Sequence, residues 1–411
     1  MSKDMGKMLV PKLRFPEFLG AGEWSVKKLG EVASLITEKA GSNRYTLMSV
    51  TAGVGLVTQI EKFGKEIAGA AYKNYYVIRK GDFAYNKSST KEHPEGQMAL
   101  LENISHGAVP NSIFICFRVD GESALPAFLK HPFATNIHGK WLRKFIAVGA
   151  RANGALNVDS KYLLTLPVAL PLLNEQQKIV DCLASIDELL NAQSKKVEAL
   201  KIHKKCLIQQ LFPREGESVP RLRFPEFMNA KKWDITPLGK AGRNFDSKRI
   251  PITEAERIKG NIPYYGASGV IDYVKDFIFD DELLCISEDG ANLVARTYPI
   301  AFPISGKTWV NNHAHVLKFS RNSTQVLVEN YLNSINIEDY LTGMAQPKLN
   351  RAKLDVIPIP LPEPDEQEKI ADCLLSIDAL IRAHSQKFDA LRAHKKGLMQ
   401  KLFPAADDVS A

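Results

Sequence analysis

The chain has 411 residues, 45% of them hydrophobic and 24% charged, with a formal net charge of +8. That length exceeds what one ordinary hydrophobic core organises, so two or more domains are expected, and the composition is that of a globular protein. There is no run of about eighteen apolar residues and no apolar core in the opening MSKDMGKMLVPKLRFPEF, so neither a membrane span nor a signal peptide is expected, and a cytoplasmic location is. Five cysteines (Cys116, Cys182, Cys206, Cys285, Cys373) make no CxxC pair and are odd in number, which speaks against a disulfide framework or a zinc cluster.

In chain order, the first recognisable element is PKLRFPEF, Pro11 to Phe18, which returns as PRLRFPEF from Pro220 to Phe227. Each is followed at the same spacing by a tryptophan (Trp24, Trp233) and a Leu-Gly pair (Leu29-Gly30, Leu238-Gly239). A globular segment follows each one. The first, residues 1–170, carries short apolar strands at 75–85 and 111–119 between glycine and asparagine turns, and a helical stretch near 125–129. Residues 1–173 hold 22 Lys and Arg against 14 Asp and Glu, the balance of a phosphate-backbone binder. The second globular segment, 214–361, has a strand at 313–319 and a helical stretch at 326–335, and residues 214–364 hold 19 charges of each sign. Both segments read as α/β or α+β domains, and each closes on a proline-rich apolar run, LPVALPLL from Leu166 and IPIPLPEP from Ile357.

Behind each domain comes a long predicted helix, at 171–213 and at 362–404, before a tail at 405–411. Asn174–Pro213 and Asp365–Pro404 align without a gap at an offset of 191 and agree at 24 of 40 positions, so the unit is duplicated. Asn174 with Gln177 and Asp365 with Glu368 have capping-box spacing, and each copy ends on Phe-Pro, which cannot continue a helix. Between these marks the apolar positions step by four and three: Ile179, Leu183, Ile186, Leu190, Val197, Leu200, Leu207 and Leu211. The second copy has Ile370, Leu374, Ile377, Ile381, Phe388, Leu391, Leu398 and Leu402 in the same register, and polar breaks at Gln193 and Lys204 are matched by His384 and Lys395. Such a heptad seam needs a partner of equal length, and the other copy is that partner. Both helices are acidic in their first half and basic in their second, so antiparallel pairing sets unlike charges side by side. The expected result is an antiparallel coiled coil, roughly 57 Å long at about 1.5 Å per residue, with the two halves related by an approximate two-fold axis.

Base edges are read by Asn, Gln, Arg or Lys and phosphates are held by Lys, Arg, Ser or backbone amides on loops. Two clusters of that kind stand out. One is Asn86, Lys87, Ser88, Ser89 and Lys91 after a predicted strand, with Arg151 and Asn153 in a further loop; the other is Ser268, Asn292, Lys307, Asn311, Asn312 and His313, joined by Gln346 and Lys348. The clusters, more than any one residue, carry the expectation of DNA contact. His313-Ala314-His315 would set two imidazoles on one strand face, but no third Cys or His lies at ligand spacing, so polar contact or packing is expected rather than a metal site.

Catalytic motifs are missing: there is no GxxxxGK[ST], GxGxxG or HExxH, and no Asn-Pro-Pro-Tyr or Asp-Pro-Pro-Tyr of the kind used for adenine methylation. The duplicated Glu-Gln-x-Lys-Ile helices ending in Leu-Phe-Pro and the repeated LRFPEF resemble the specificity subunit of type I restriction-modification systems. So do IPYYGASGVIDYV, SEDGANLV and WVNNHAHVL in the second domain. The resemblance implies a non-catalytic DNA-recognition subunit with two target-recognition domains, each reading half of a bipartite, asymmetric site. The helices would set the spacing and dock the modification subunits. It further implies partnership with double-stranded DNA, two modification (methyltransferase) subunits and two restriction and translocation subunits, with S-adenosylmethionine, ATP and magnesium belonging to those partners. The rival reading is a non-enzymatic coiled-coil scaffold with two protein- or ligand-binding domains.

Overall fold

The structure, a computed structural model, describes residues 9–51, 54–146, 156–214, 216–343, 346–405 and 409. The chain divides into two compact units, residues 1–191 with 389–411, and residues 192–388. Among the described residues no helix is long and apolar enough to cross a membrane.

The first unit contains strands β1 (Ser25–Lys28), β2 (Ala33–Leu35), β3 (Thr46–Thr51), β4 (Gly55–Thr58), β5 (Tyr76–Arg79), β6 (Asp82–Asn86), β7 (Gln97–Leu100), β8 (His106–Val109), β9 (Phe114–Val119) and β10 (Pro167–Leu170). Helix α1 (Pro126–Ala134) lies between the last two. β1 and β10 form a closing pair; the other strands make two sheets ordered β2-β9-β6-β7 and β4-β3-β8-β5. β3 and β8 run parallel and the other described pairs antiparallel. β6 is apolar at Phe83, Ala84 and Tyr85 because it is central, with both faces covered. Phe83 sits opposite Phe117 in the ladder, their rings stacked at 5.1 Å, and Phe133 of α1 meets Phe83 edge-on at 5.3 Å.

The second unit contains β11 (Asp234–Pro237), β12 (Arg243–Asn244), β13 (Lys259–Gly266), β14 (Gly269–Val274), β15 (Phe279–Asp280), β16 (Leu283–Ser287), β17 (Ala301–Ile304), β18 (Lys307–Val310), β19 (Ala314–Lys318) and β20 (Pro358–Leu361). Its pairing is the first unit's with every label raised by ten: β11-β20, β12-β19-β16-β17 and β14-β13-β18-β15, with β13 and β18 parallel. Two unlike sequences therefore build one fold.

The long helices are α2 (Leu173–Leu211) and α4 (Pro364–Leu402), and a further helix, α3 (Asn322–Ser334), lies in the second unit. α2 and α4 each contribute one half to each unit. Both stop just before Phe-Pro, as expected from the missing amide. Their starts correct the sequence reading. α2 begins at Leu173, Asn174 accepts only from its neighbour Glu175, and Gln177 turns to Asp181 at 2.7 Å. α4 begins at Pro364, so Asp365 lies inside the helix and Glu368 reaches Arg321. In α4, proline at the first helical position, with its dihedral already helical, starts the helix two residues ahead of the expected first turn and leaves Asp365 inside it, where it cannot cap.

Within each unit the half-helices pack antiparallel. In the first, Ile179 and Leu183 share a core with Leu398 and Leu402, and Asp187 pairs with Lys395. Ile186 is buried, Leu190 and Leu391 half-buried. In the second, Ile370, Leu374, Ile377 and Leu211 are buried, while Val197, Leu200, Leu207, Ile381 and Phe388 are half-buried. The polar breaks find partners there: Lys204 bonds both oxygens of Asp378 at 2.7 and 2.8 Å, and the Gln193 amide donates to the His384 carbonyl at 2.9 Å.

The LRFPEF linkers explain why the Glu-Gln dipeptide occurs twice. Arg14 forks onto Glu175 at 2.8 and 2.7 Å, and Arg223 onto Glu366 at 2.7 and 2.6 Å, all four side chains nearly fully buried. Lys178 pairs with Glu17, and Lys369 with Glu226, both at 3.1 Å. The adjacent glutamine ties down the domain. Gln176 accepts from the Leu125 amide ahead of α1 and donates to Ser123 and Pro171, while Gln367 accepts from Thr324 of α3 and donates to Pro362.

Arg14→Ala is expected to cost about 3–5 kcal/mol of stability, because it strands a buried carboxylate. Pairing Arg14→Met with Glu175→Met should recover most of that. Denaturant unfolding measures both, and a single-variant loss below about 1 kcal/mol would show the pair to be dispensable.

Glu329 of α3 lies beside the Lys204–Asp378 pair. Burial raises its carboxyl to about 7, with Asp378 adding to the shift and Lys204 opposing it. The folded chain thus keeps this proton where the unfolded chain has released it, so stability drains as pH rises from about 4.5 to about 7 and stays low above. Glu329→Gln is expected to raise stability at pH 8 by up to about 3 kcal/mol, and by little near pH 5. Thermal unfolding at both pH values checks this; an equal gain at both would assign it to packing.

Candidate nucleic-acid interface

Parts of the two predicted clusters, the loop after β6 in one and the turn before β19 in the other, are delivered to the same edge of the two copies of the fold. In the first domain the residue after β6, Lys87, donates its amide to Ile113 at 2.9 Å, and its carbonyl accepts from Leu156 at 2.8 Å. In the second domain the residue after β16, Glu288, donates to His313 at 2.9 Å and accepts from Leu349 at 2.8 Å. Each domain thereby gathers the loop after strand β6 or β16, the turn before β9 or β19, and Leu156 or Leu349.

In the first domain Asn86 ends β6, and its side chain accepts from the Ser88 amide at 2.9 Å, an Asx turn that aims the loop out of the sheet. Lys87 and Ser88 are half-buried, Ser89 and Lys91 exposed. Asn86, Ser88 and Lys91 line an open cleft of about 760 Å³ with Gln59, Lys62, His93 and Gln97, over a floor that includes Met48, Val50 and Phe114. Gln59 and Lys62 were not singled out from the sequence. They belong to a short helix, Gln59–Phe63, whose signal was legible: Thr58 and Glu61 form a reciprocal capping box. Arg151 and Asn153 lie outside the described residues.

In the second domain Ser268, Asn312, His313, Gln346 and Lys348 are exposed. Asp289 bridges to Lys348 in a short antiparallel contact, Gly290 donates to Pro347, and Ser287 donates to Ala267 beside Ser268, which brings these loops to one edge. Three expectations are corrected. Asn292 is buried, its amide donating to the Tyr298 carbonyl and its oxygen accepting from Thr297 and the Tyr298 amide, so its polar atoms are turned to its own loop and away from a base. Asn311 is likewise buried, its side chain accepting from the His313 amide at 2.8 Å. Lys307, exposed with its ammonium over Phe277, begins β18 at the end opposite the 311–313 turn, so it is not brought to this edge.

The placing of both imidazoles of His313-Ala314-His315 on one strand face is corrected as well. His313 precedes β19 and stays in the turn, while His315 points inward, its ring nitrogens donating to the Asp246 carboxylate at 2.6 Å and to the Leu349 carbonyl at 2.7 Å. Among the described residues no group of three or more His, Cys, Asp or Glu is placed to hold a metal. Beneath the edge, burial pushes the Glu288 carboxyl up, but the Arg249 hydrogen bond, the His315 charge and Lys348 outweigh it and hold the group ionised below its usual range. Asp246 is held low in the same way: burial opposes, and His315 and the Val316 amide prevail.

What both edges offer is polar donors and acceptors on loops at strand ends, on a braced base. A family model described as the type I restriction modification DNA specificity domain matches residues 21–199 and again 231–393. The chain belongs to this family. A putative type I restriction enzyme specificity subunit of Haemophilus influenzae is 35% identical over 144 residues, 35% of this chain and 37% of that protein. The putative MjaX specificity subunit of Methanocaldococcus jannaschii is 23% identical across 92% of each chain. The S subunit structure from M. genitalium matches 97% of this chain and 100% of its own with a TM-score of 0.58 at 14% identity. A chain solved in work on assembly and conformational transition of the type I R-M system gives 0.54 at 18% identity, over 93% and 98% of the two chains. These structures share the fold. The specificity family is the DNA-recognition component of such systems, and the two matches of its model each take in one domain and much of the helix behind it.

Replacing Lys87 and Lys91 by alanine is expected to weaken DNA binding and to flatten the slope of log affinity against log salt, by roughly 0.9 for each phosphate that is no longer neutralised. An unchanged slope across a salt titration would mean the loop faces away from the duplex.

Proposed function

We propose that this chain is the sequence-reading subunit of a type I restriction-modification complex, each domain reading one half of a bipartite, asymmetric DNA site. One observation carries the reading: a single ten-strand fold is built twice in matching frames, with unlike side chains at the equivalent exposed edge. Like frames hold the two readers alike; unlike edges read different bases. The paired helices set the spacing between the half-sites. The location is cytoplasmic, where the DNA is.

The partners are two copies of one modification subunit, and the exterior of the frame supports this. Val10 and Val219, Leu13 and Leu222, Leu19 and Met228, Val26 and Ile235, and Leu189 and Leu380 are equivalent pairs, apolar and exposed in both copies. Repeated interiors follow from repeated folding, whereas repeated apolar exteriors follow from a partner met twice. Two restriction and translocation subunits join for cleavage. The chain itself is non-catalytic, and S-adenosylmethionine, ATP and magnesium are used by the partners.

The purified chain with S-adenosylmethionine is expected to leave DNA unmethylated, and addition of the modification subunit to give methylated adenines at one bipartite sequence. Exchanging residues 25–165 for the same segment of another such subunit should change one half of that sequence and keep the other. Methyl transfer by the chain alone, or a change in both halves, overturns the assignment.

A further inference from the structure

We propose that His313 is a specificity-determining residue of the second domain and that Asp289 is the positioning residue that aims it. The inference deepens the DNA-reading assignment and rests on it.

Asp289 stands two residues beyond β16, the place Ser88 holds beyond β6. A carboxylate on an edge that meets phosphates would repel them, so its presence there needs another purpose. Its Oδ2 accepts from His313 Nδ1 at 2.8 Å, with the His313 side chain 51% exposed and Asp289 only 17%. Because an ionised carboxylate can only accept, Nδ1 carries the hydrogen and Nε2 is the atom left to face solvent.

The ring is braced from its backbone too. The His313 amide donates to the buried Asn311 side chain at 2.8 Å, and its carbonyl accepts from Glu288 at 2.9 Å. Glu288 is in turn held by Arg249 at 2.7 Å and Lys348 at 3.3 Å. A lone surface histidine would swing freely; this one has its orientation fixed at three points before any ligand arrives. That rigidity is what a base-edge contact requires, since discrimination depends on hydrogen-bond direction. The ligand is one base edge in the major groove, at one position of the half-site read by the second domain.

The test uses the assembled complex with its modification subunits and measures binding to a panel of duplexes carrying each single base change in both half-sites. His313→Ala is expected to lower discrimination at one position of one half-site by about 5- to 100-fold, the equivalent of roughly 1–3 kcal/mol. Discrimination in the other half-site should be unchanged. Asp289→Ala should relax the same position, and Asp289→Asn, whose oxygen still accepts from Nδ1, should restore it. A merely structural role would lower affinity for every duplex alike and would not be rescued position by position. Unchanged discrimination in His313→Ala, or uniform loss across both half-sites, overturns the proposal. Failure of the unaltered complex to prefer any sequence would overturn the DNA-reading assignment itself.

Discussion

The structure hangs on a buried ion pair made twice. Arg14 on Glu175 and Arg223 on Glu366 join a linker to a helix start in geometry that leaves neither charge uncompensated. Such a pair contributes little net stability against a well-packed apolar substitute, yet breaking it is costly, so it specifies one arrangement more than it strengthens it. Because the next residue, Gln176 or Gln367, satisfies backbone or hydroxyl groups of the domain, two adjacent side chains hold linker, helix and domain in one fixed relation within each unit. The copies are not identical. The Trp24 indole also donates to Glu175 at 3.3 Å, whereas the buried Trp233 indole has no partner among the described residues.

On this frame the domains share a topology and diverge in chemistry. Lys87 and Glu288 make the same pair of backbone hydrogen bonds with opposite charges on their side chains. The backbone ladder depends on strand order and not on side chains, so an edge loop can change its sign while the sheet behind it stays the same. Junctions with the helices vary in the same manner. His131 of α1 is pushed down to about 4, chiefly by burial and then by Lys395 and Lys130, with Asp187 opposing; Glu329 of α3 sits by the equivalent Lys204 and Asp378 and is pushed up.

Much of this was legible in the residues. Repeats at constant offsets identified the helices and linkers, the four-three spacing named the seam, and the acidic-to-basic polarity of both helices anticipated unlike charges side by side, as in Lys204 with Asp378. Loop clusters rich in Asn, Lys and Ser pointed to the equivalent edge of each domain. Residue by residue the clusters were less reliable, because Asn292 and Asn311 have the chemistry of readers but spend it on their own loops. The helix starts were misplaced because Pro364 and the Leu-Leu step before Asn174 outweighed the capping signature.

The sequence by itself determined what depends on local spacing: two domains, two amphipathic helices, their antiparallel pairing by charge, and the family. Only the tertiary structure decided that Arg14 seeks Glu175, 161 positions away. It alone revealed that domains unlike in sequence share one strand order, and that Asp289 stands against His313. Periodicity and caps are written into neighbouring residues, whereas a hydrogen bond between loops depends on where the sheet delivers their ends, and that is settled by the whole core at once.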